Sequence, residues 1–450
     1  MTAALRADLL AIADEAVKHA KACGVDEAEA FVVHASGASV SLQKNDLHSA
    51  ADEDETTVGV RVLKGGARGF ATTNDLARLA ETAEEAAAAA RASPSDARDG
   101  FAAPSPIDPL PGLADPGLFD VDAAELVDVA CEMLEHARRL DPRIRVDSGG
   151  VQVERVRRAV VNSRGVRASE EHAYAGGSLF GMAVDGDDVG SFDADGDVVR
   201  KASDLRTALS AAAERFAVKT TGALGAKPGE SFRGTVVFSP EAVAEFVLGN
   251  LCAVLSAKAV RNKKSPFGGR LGERIAAAEF HLVDDPRRPD LVSSVAFDRE
   301  GVPTRPAVLV ENGVLKTFLY DTYEARSAGV VSTGHARGGA SSTPTIGPHN
   351  LALTPGRTSL ASLCAGVDRA ILVSRFSGST NAATGEFSGV VKGGFLIKKG
   401  VRIPVKEVQI SGNLYELLKR ISGVSAETRL IDGSTRVPAV RFEDVSVTAG

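Results

Sequence analysis

Short turn sequences recur between β-forming runs, and they restrict this chain to a fold rich in antiparallel sheet. Asn312-Gly313 separates residues 307–310 from residues 315–319. This arrangement is typical of a two-residue β-hairpin, because the tight turn needs residues that tolerate positive φ. Further turns are predicted at residues 64–66, 162–165 and 398–400. Strands joined by such turns run antiparallel and pair with each other.

Stretches with apolar residues at helical spacing flank the predicted strands. Residues 4–23 have one apolar face and stop at Gly24, a typical C-cap residue, so we expect an amphipathic helix there. Further helices are predicted at residues 75–92 and 121–140, and from Pro240 to about residue 260. Short strands are predicted at residues 30–34, 40–43, 57–63, 67–71, 151–161 and 235–239.

Prolines crowd into residues 100–116, a segment that neither a helix nor a central strand would accept. We expect a connecting strap there, or an ordered arm wrapped on a neighbour. The whole pattern indicates the α+β class, with an N-terminal helix plus an antiparallel meander with flanking helices, and then a β-rich C-terminal domain. We place the domain boundary at residue 230, which gives domains 1–230 and 231–450.

Composition narrows the function classes. The chain has 450 residues, 44% of them hydrophobic, and a net charge of −7, which does not suggest a nucleic-acid partner. The longest largely apolar run, residues 246–257, is well short of the roughly 20 residues that cross a bilayer. Residues 2–8 show no basic segment leading into an apolar one, so we expect no secretory signal, no membrane partner and a cytoplasmic location.

Local motifs for common chemistries are absent from the sequence. None of the eight histidines is followed by Glu, which excludes a helix-borne His-Glu zinc site, although a site assembled from distant histidines stays open. The four cysteines are widely separated, without zinc-ribbon spacing. No Gly-Lys dipeptide occurs, so there is no Walker A loop. The Asp193, Asp195 and Asp197 series lacks the Gly that a calcium loop needs.

Longer phrases carry more information than these motifs. Val161-Asn162-Ser163-Arg164-Gly165 resembles the strand-end phrase of the TldD/PmbA family, and so do residues 377–388, 393–400 and 404–414. The resemblance extends from residues 65–71 to residues 438–442 and thus covers nearly the whole chain. The C-terminal block is similar to the version found in the PmbA (TldE) branch.

The resemblance implies a subunit without a zinc site. In the TldD branch a helix carries a His-Glu-x-x-x-His zinc site, completed by a cysteine near the C-terminus. Here the corresponding helix reads Pro240-Glu241-Ala242-Val243-Ala244-Glu245-Phe246, and residues 430–434 contain no cysteine. The family pattern therefore implies no catalytic residue and no cofactor in this chain. It implies a heterodimer with a TldD-like zinc metallopeptidase subunit that cuts unfolded peptides.

Two polar, glycine-containing turns are the candidate substrate-binding segments, because such turns can approach a peptide backbone closely. The alternative for each is a polar turn that only closes a hairpin. The candidate residues are Asn162, Ser163, Gly165, Ser379, Thr380, Asn381 and Gly385.

Two other functions stay open at this point. One is an autonomous hydrolase that acts as a homodimer, with His281 or His335 and nearby carboxylates as its site. The other is a peptide-binding or regulatory protein without proteolysis, a class to which the family's link with DNA gyrase regulation would belong. A homodimer could also form when the partner subunit is missing.

Overall fold

The N-terminal helix starts with a side-chain cap. A computed structural model describes residues 8–365 and 367–450, so residues 2–7, including the predicted helical residues 4–7, lie outside the described part. Helix α1 spans Leu9–Ala22, which confirms the helix prediction within the described residues. The Asp8 carboxylate accepts hydrogen bonds from the N–H groups of Leu10 and Ala11, which have no partner inside the helix.

Long strands form a first, antiparallel sheet in the order β3-β2-β1-β4-β5-β6, with β7 also paired to β5. The strands are β1 Glu27–Gln43, β2 Asp46–Lys64, β3 Ala67–Thr73, β4 Ile144–Asn162, β5 Arg167–Asp185, β6 Asp188–Val189 and β7 Asp193–Val199. The other helices of this half are α2 Leu79–Ala92, α3 Ala123–Leu140 and α4 Leu205–Gly222. The predicted α+β class is confirmed.

Strand β1 corrects the prediction of two short strands at residues 30–34 and 40–43. It runs for 17 residues without a break. Gly37, in the stretch that separates the predicted strands, pairs with Glu53 of β2 on one side and Glu154 of β4 on the other. Hydrogen bonding from both neighbours thus keeps a segment of low β-propensity extended.

Helices cover one face of this sheet. Alternate residues of a strand share a face, and Ala30 and Val32 of β1 pack in one apolar cluster with α1 and α2. Val40 and Leu42, further along the same face, pack in a second cluster with α3 and α4. The 17-residue length of β1 therefore supports two helix pairs side by side.

The first part of β2 forms an exposed edge. β3 pairs with β2 only from Val58 onwards, and residues 46–55 of β2 are exposed. Within the described residues their only strand partner is β1. The run Asp52-Glu53-Asp54-Glu55 lies on this edge.

A second, larger sheet fills the C-terminal half, in the order β12-β11-β10-β15-β23-β9-β16-β19-β20-β8. β22 and β21 also pair with β23, and β18 pairs with β17 and β21. Its strands are β8 Lys227–Pro228, β9 Phe232–Phe238, β10 Leu282–Asp284, β11 Ala307–Glu311, β12 Val314–Leu315, β15 Leu351–Leu353, β16 Arg369–Val373, β17 Arg375–Thr380, β18 Glu386–Lys392, β19 Gly394–Lys398, β20 Val401–Lys406, β21 Val408–Asn413, β22 Ile421–Ile431 and β23 Thr435–Ala449. A small separate ribbon pairs β13 Ala336–Arg337 with β14 Thr345–Ile346.

The helices of this half are short. They are α5 Pro240–Ala242, α6 Gly249–Leu255, α7 Ala257–Arg261, α8 Thr322–Ala328, α9 Leu360–Ala365 and α10 Leu414–Lys419. The continuous helix predicted from Pro240 to about residue 260 is therefore wrong: a π-helical turn, Val243–Leu248, joins α5 to α6, and Ser256 is extended. The break allows the backbone of Leu319 to bond with Leu255 and Ala257.

The predicted hairpin turns are confirmed. Asn312 and Gly313 have φ values of 48° and 80°, as the tight turn requires. Lys399 and Gly400 show the same pattern, and residues 64–66 and 162–165 join β2 to β3 and β4 to β5. Among the described residues no helix is both long enough and apolar enough to span a bilayer.

The proline-rich segment is a strap that touches both halves of its own chain. Residues 101–110 have no regular secondary structure. The Ala102 carbonyl accepts a 2.9 Å hydrogen bond from the Asn162 side chain of the first half. The Arg287 side chain of the second half donates to the carbonyl oxygens of Asp108 and Pro109.

The face of the first sheet opposite the helices packs on the second half. Phe31 and Val160 lie in one apolar cluster with Phe297 and Ala340. The approach is close, since a Cβ on Gly59 would lie 2.1 Å from the Ala340 carbonyl oxygen. Only glycine therefore fits at this point of β2.

A charged cluster is buried in the same junction. Arg61 of β2 donates two hydrogen bonds to Glu29 of β1, at 2.9 and 2.8 Å, and two to Glu300, both at 3.2 Å. Arg299 donates to Glu29 at 2.9 Å. Burial alone would lower the pKa of Arg61, but the charges of Glu29 and Glu300 raise it. These ion pairs connect the two halves.

We expect Arg61→Met to lower the free energy of unfolding by about 3–5 kcal/mol, because it leaves two buried carboxylates without their main partner. Urea unfolding followed by circular dichroism would measure this change. The matched control is Arg78→Met, which removes an exposed pair with Glu81 and should cost about 1 kcal/mol or less. Equal effects of the two substitutions would contradict the role given to the buried cluster.

Candidate functional site

A cavity of about 570 Å³ lies where the first sheet meets the second half. One wall comes from strands β4, β5 and β7, and the other from residues 292–299, residues 336–349 and the β22–β23 turn. The lining residues are Val156, Arg158, His172, Tyr174, Val198, Val292, Ser293, Val295, Arg299, Ala336, Arg337, Gly338, His349 and Asp432.

Arg158 forms one side of the cavity and is held in place from two directions. Its Nε donates to the Glu170 carboxylate at 2.7 Å, and its Nη2 donates to the Phe297 carbonyl at 2.6 Å. Burial would raise the pKa of Glu170, but the charge of Arg158 and the hydrogen bond from His172 outweigh it and lower the pKa to about 2. Glu170 is therefore ionised at neutral pH and neutralises Arg158.

Arg337 faces the cavity with no carboxylate partner. Its Nη1 donates to His349 Nδ1 at 2.7 Å, and His349 Nε2 lies 2.9 Å from the Gly334 carbonyl, which assigns the proton to Nε2. Burial and the charge of Arg337 lower the pKa of His349 to about 3, so this ring is neutral. Among the described residues no Asp or Glu lies within ion-pair distance of Arg337.

Arg299 links the cavity to the buried charged cluster. Its Nη1 bonds to Glu29, and its guanidinium lies 3.9 Å from the centre of the Phe31 ring. Its Nη2 is buried and has no hydrogen-bond partner among the described residues. A buried donor without a partner is costly, so this atom is a natural contact for a ligand.

A second cavity, of about 440 Å³, continues the first along the sheet. Val198 and Asp432 line both cavities. Its floor contains Gly149 and Gly150 of β4, Gly176 and Gly177 of β5 and Gly196 of β7. Because these residues carry no side chains, the floor is a strip of bare backbone. We call this second cavity the glycine trough.

A buried histidine lies behind the cavity. His335 Nε2 is 2.7 Å from the Asp284 carboxylate, and His335 Nδ1 is 2.8 Å from the Thr333 hydroxyl. The order resembles a catalytic triad, but the Thr333 hydroxyl also bonds to the N–H and C=O of Tyr320, at 2.8 and 3.2 Å. His335 is fully buried, so the three side chains hold the backbone rather than present a nucleophile.

Family comparisons agree along the chain. The model of PmbA/TldA metallopeptidase domain 1 matches residues 28–90, that of the central domain residues 116–219, and that of the C-terminal domain residues 231–449. The chain belongs to the PmbA/TldD family. This confirms the resemblance found in the sequence.

Relatives from the PmbA/TldD family match over nearly their whole length. A structure of TldE from Thermococcus kodakarensis has a TM-score of 0.89 at 27% identity, covering 97% of this chain and 99% of that one. The metalloprotease PmbA of Escherichia coli O157:H7 is 25% identical over 93% of this chain and 92% of its own length. A metalloprotease TldD homologue of Haemophilus influenzae is 30% identical over 38% of this chain and 36% of its own length.

The helix that corresponds to the zinc helix of the TldD branch has other residues at the two histidine positions, Pro240 and Glu245. Glu241, at the position of the Glu, is ion-paired with Lys219 at 3.0 Å and also with Arg429. Burial would raise the pKa of Glu241, but Lys219 and Arg429 lower it to about 2. Glu241 is thus a paired carboxylate rather than a general base.

Asp195 extends this ion-pair network between the two halves. Its fully buried carboxylate lies 2.8 Å from Lys219, 2.5 Å from Arg429 and 2.9 Å from Arg215. Across the described residues, no group of three or more His, Cys, Asp or Glu side chains is placed to hold a metal ion.

The first predicted site segment has structural contacts for its side chains. Asn162 Oδ1 accepts from the N–H groups of Arg164 and Val166, and its Nδ2 holds the strap. The Ser163 hydroxyl accepts from Ala28 N–H of β1, and Gly165 has a φ of 104°. These contacts close the turn between β4 and β5, and substrate binding there stays a prediction.

The second predicted segment closes the β17–β18 hairpin and lines a shallow depression of about 850 Å³, away from the junction cavity. Ser379, Thr380 and Asn381 contribute to its wall. Asn381 Oδ1 accepts from the N–H groups of residues 383 and 384, and Gly385 has a φ of 81°. The depression does not include the Asn162 turn, so the structure does not bring the two segments together.

Sequence reasoning missed the arginines of the junction cavity. Arg158 and Arg337 are far apart in the chain, and neither lies in a recognisable motif. His335, by contrast, was among the sequence candidates and does lie beside a carboxylate, that of Asp284.

The Glu241 ion pairs should make stability depend on pH. Since the folded pKa of about 2 lies below the model value of 4.5, the stabilisation is present above pH 4.5 and is lost as the pH falls toward 2. We expect Glu241→Gln to be less stable than the unmodified chain at pH 7, with a difference that shrinks through this range. Urea unfolding at several pH values measures it, with Glu84→Gln on the exposed face of α2 as the charge-loss control. A difference that does not change with pH would contradict the assignment.

Proposed function

We propose that this chain is the non-metal-binding subunit of a cytoplasmic two-subunit metallopeptidase that processes unfolded peptides. In this proposal a TldD-like partner subunit supplies the zinc and the cleavage chemistry. The observation that carries it is the helix at residues 240–246, where Pro240 and Glu245 occupy the histidine positions and Glu241 is tied up in ion pairs. A subunit with this helix needs another source of metal and base.

The junction cavity and the glycine trough support a role in holding the substrate. Their volumes, about 570 and 440 Å³, suit a short stretch of extended polypeptide and not a folded domain. Peptides bound in extended form are recognised through backbone groups and through pockets for alternate side chains. The TldE-like shape over 97% of the chain is consistent with a non-catalytic subunit.

A peptide-binding protein without proteolysis is the second candidate. The same cavity and trough favour it, because binding needs no zinc and no nucleophile. It differs from the first candidate in its response to the partner subunit, since peptide would bind but would stay intact in the mixture.

We expect the purified chain alone to leave an unstructured peptide intact, and an equimolar mixture with its TldD-like partner to cut it. The cleavage should stop when a chelator is added, because the zinc is in the partner. Mass spectrometry of the products is the measurement, and gel filtration of the chain alone would reveal a homodimer. Chelator-sensitive cleavage by the chain alone would overturn the proposal, and intact peptide in the mixture would favour the binding protein.

The β17–β18 hairpin provides a second test of substrate contact. We expect Ser379→Trp to fill the depression beside Thr380 and Asn381 and to slow cleavage by the mixture about tenfold, a magnitude typical of losing one good contact. The control is Ser377→Trp, on the same strand but outside the depression. Equal rates for both variants and the unmodified mixture would remove the hairpin from the substrate path.

A further inference from the structure

We propose that the junction cavity binds the free C-terminal carboxylate of a peptide, with the preceding residues extended along the glycine trough. The inference rests on the proposed function in one respect, that the substrate is a peptide. It adds the end of the peptide that is recognised and the residues that recognise it, which are Arg337, Arg158 and Arg299.

The charges that face the cavity leave an excess of positive charge. Glu170 neutralises Arg158, and Glu29 is shared between Arg61 and Arg299. The Asp284 carboxylate, behind the cavity, is occupied by His335 and by the N–H groups of residues 349 and 350. Arg337 therefore retains an unpaired charge.

The two histidines that line the cavity do not compensate or add to this charge at neutral pH. Burial lowers the pKa of His172 and brings that of His349 to about 3, so both rings are neutral. Asp432 is exposed, at the boundary between the cavity and the glycine trough. The positive charge thus lies at the inner end and the negative charge at the boundary.

Free donors lie on the same guanidinium groups. Among the described residues, Nε and Nη2 of Arg337 and Nη1 of Arg158 have no hydrogen-bond partner. Nη2 of Arg299, on a side chain that is 1% exposed, is buried without one. An anion that accepts from these nitrogens would satisfy donors that the protein leaves open.

The shape of the cavity favours a carboxylate that carries a side chain. Guanidinium groups bind carboxylate and phosphate equally well in geometry, through paired N–H donors. Apolar side chains line the space next to the arginines: Val156, Val292, Val295 and Ala336. A free phosphate would leave this apolar surface uncovered, whereas the last residue of a peptide would cover it with an apolar side chain.

The glycine trough gives the rest of the peptide a path. It meets the cavity at Val198 and Asp432, and its floor has no side chains at Gly150 and Gly177. The strands approach closely there, since a Cβ on Gly177 would lie 2.6 Å from the Gly150 carbonyl oxygen. An extended backbone can therefore lie flat on the sheet.

The test compares two forms of one unstructured heptapeptide that ends in Leu, one with a free C-terminal carboxylate and one with a C-terminal amide. Both carry an N-terminal fluorophore, and anisotropy measures their binding to the purified full-length chain. We expect the acid to bind about 10- to 100-fold more tightly, the usual range for hydrogen bonds to a charged group. Arg337→Gln should abolish the difference, and Arg139→Gln, on the exposed surface of α3, should preserve it.

Several outcomes would overturn the inference. Equal binding of acid and amide to the unmodified chain would do so without any variant, so a poorly folded Arg337→Gln does not remove the test. Displacement of the acid by inorganic phosphate, at concentrations where acetate has no effect, would assign the cavity to phosphate instead.

The inference and the proposed function can fail separately. Cleavage by the mixture with no preference for the acid over the amide would overturn only the C-terminal recognition. Tight binding of the acid without any cleavage in the mixture would overturn only the peptidase role.

Discussion

Charge pairs that are removed from water join the two halves of this molecule. Glu29, Arg61, Arg299 and Glu300 lie at the centre of the junction, each at most 4% exposed. Such a group is costly to leave alone in a protein interior, so each half supplies what the other requires. The apolar contacts around Phe31 and Phe297 add burial, but the ion pairs fix the relative position of the sheet and the second half.

The junction cavity depends on this arrangement. Arg299 belongs to both the ion-pair cluster and the cavity wall, so the cluster determines where one cavity donor points. Glu170 has a similar double role, since it holds Arg158 and also accepts a hydrogen bond from the Ala296 N–H of the second half. The binding surface is therefore a property of the assembled halves.

Local sequence was sufficient for those parts of the fold that depend on neighbouring residues. The turn at Asn312 and the helix that begins at Leu9 follow from residue types and spacing. The continuity of β1 through Gly37 did not, because pairing with strands on both sides creates it. The Arg337 site was invisible for the same reason: its neighbour Arg158 comes from another sheet, and no local pattern records that contact.

The exposed edge of β2 has a consequence for recognition between identical copies. An unpaired strand edge can accept a strand from another chain. If two copies met through this edge, the run Asp52-Glu53-Asp54-Glu55 of one would come close to the same four carboxylates of the other. Like charges at that distance repel each other. The edge thus discriminates against its own kind while leaving its backbone groups open to a strand of opposite charge.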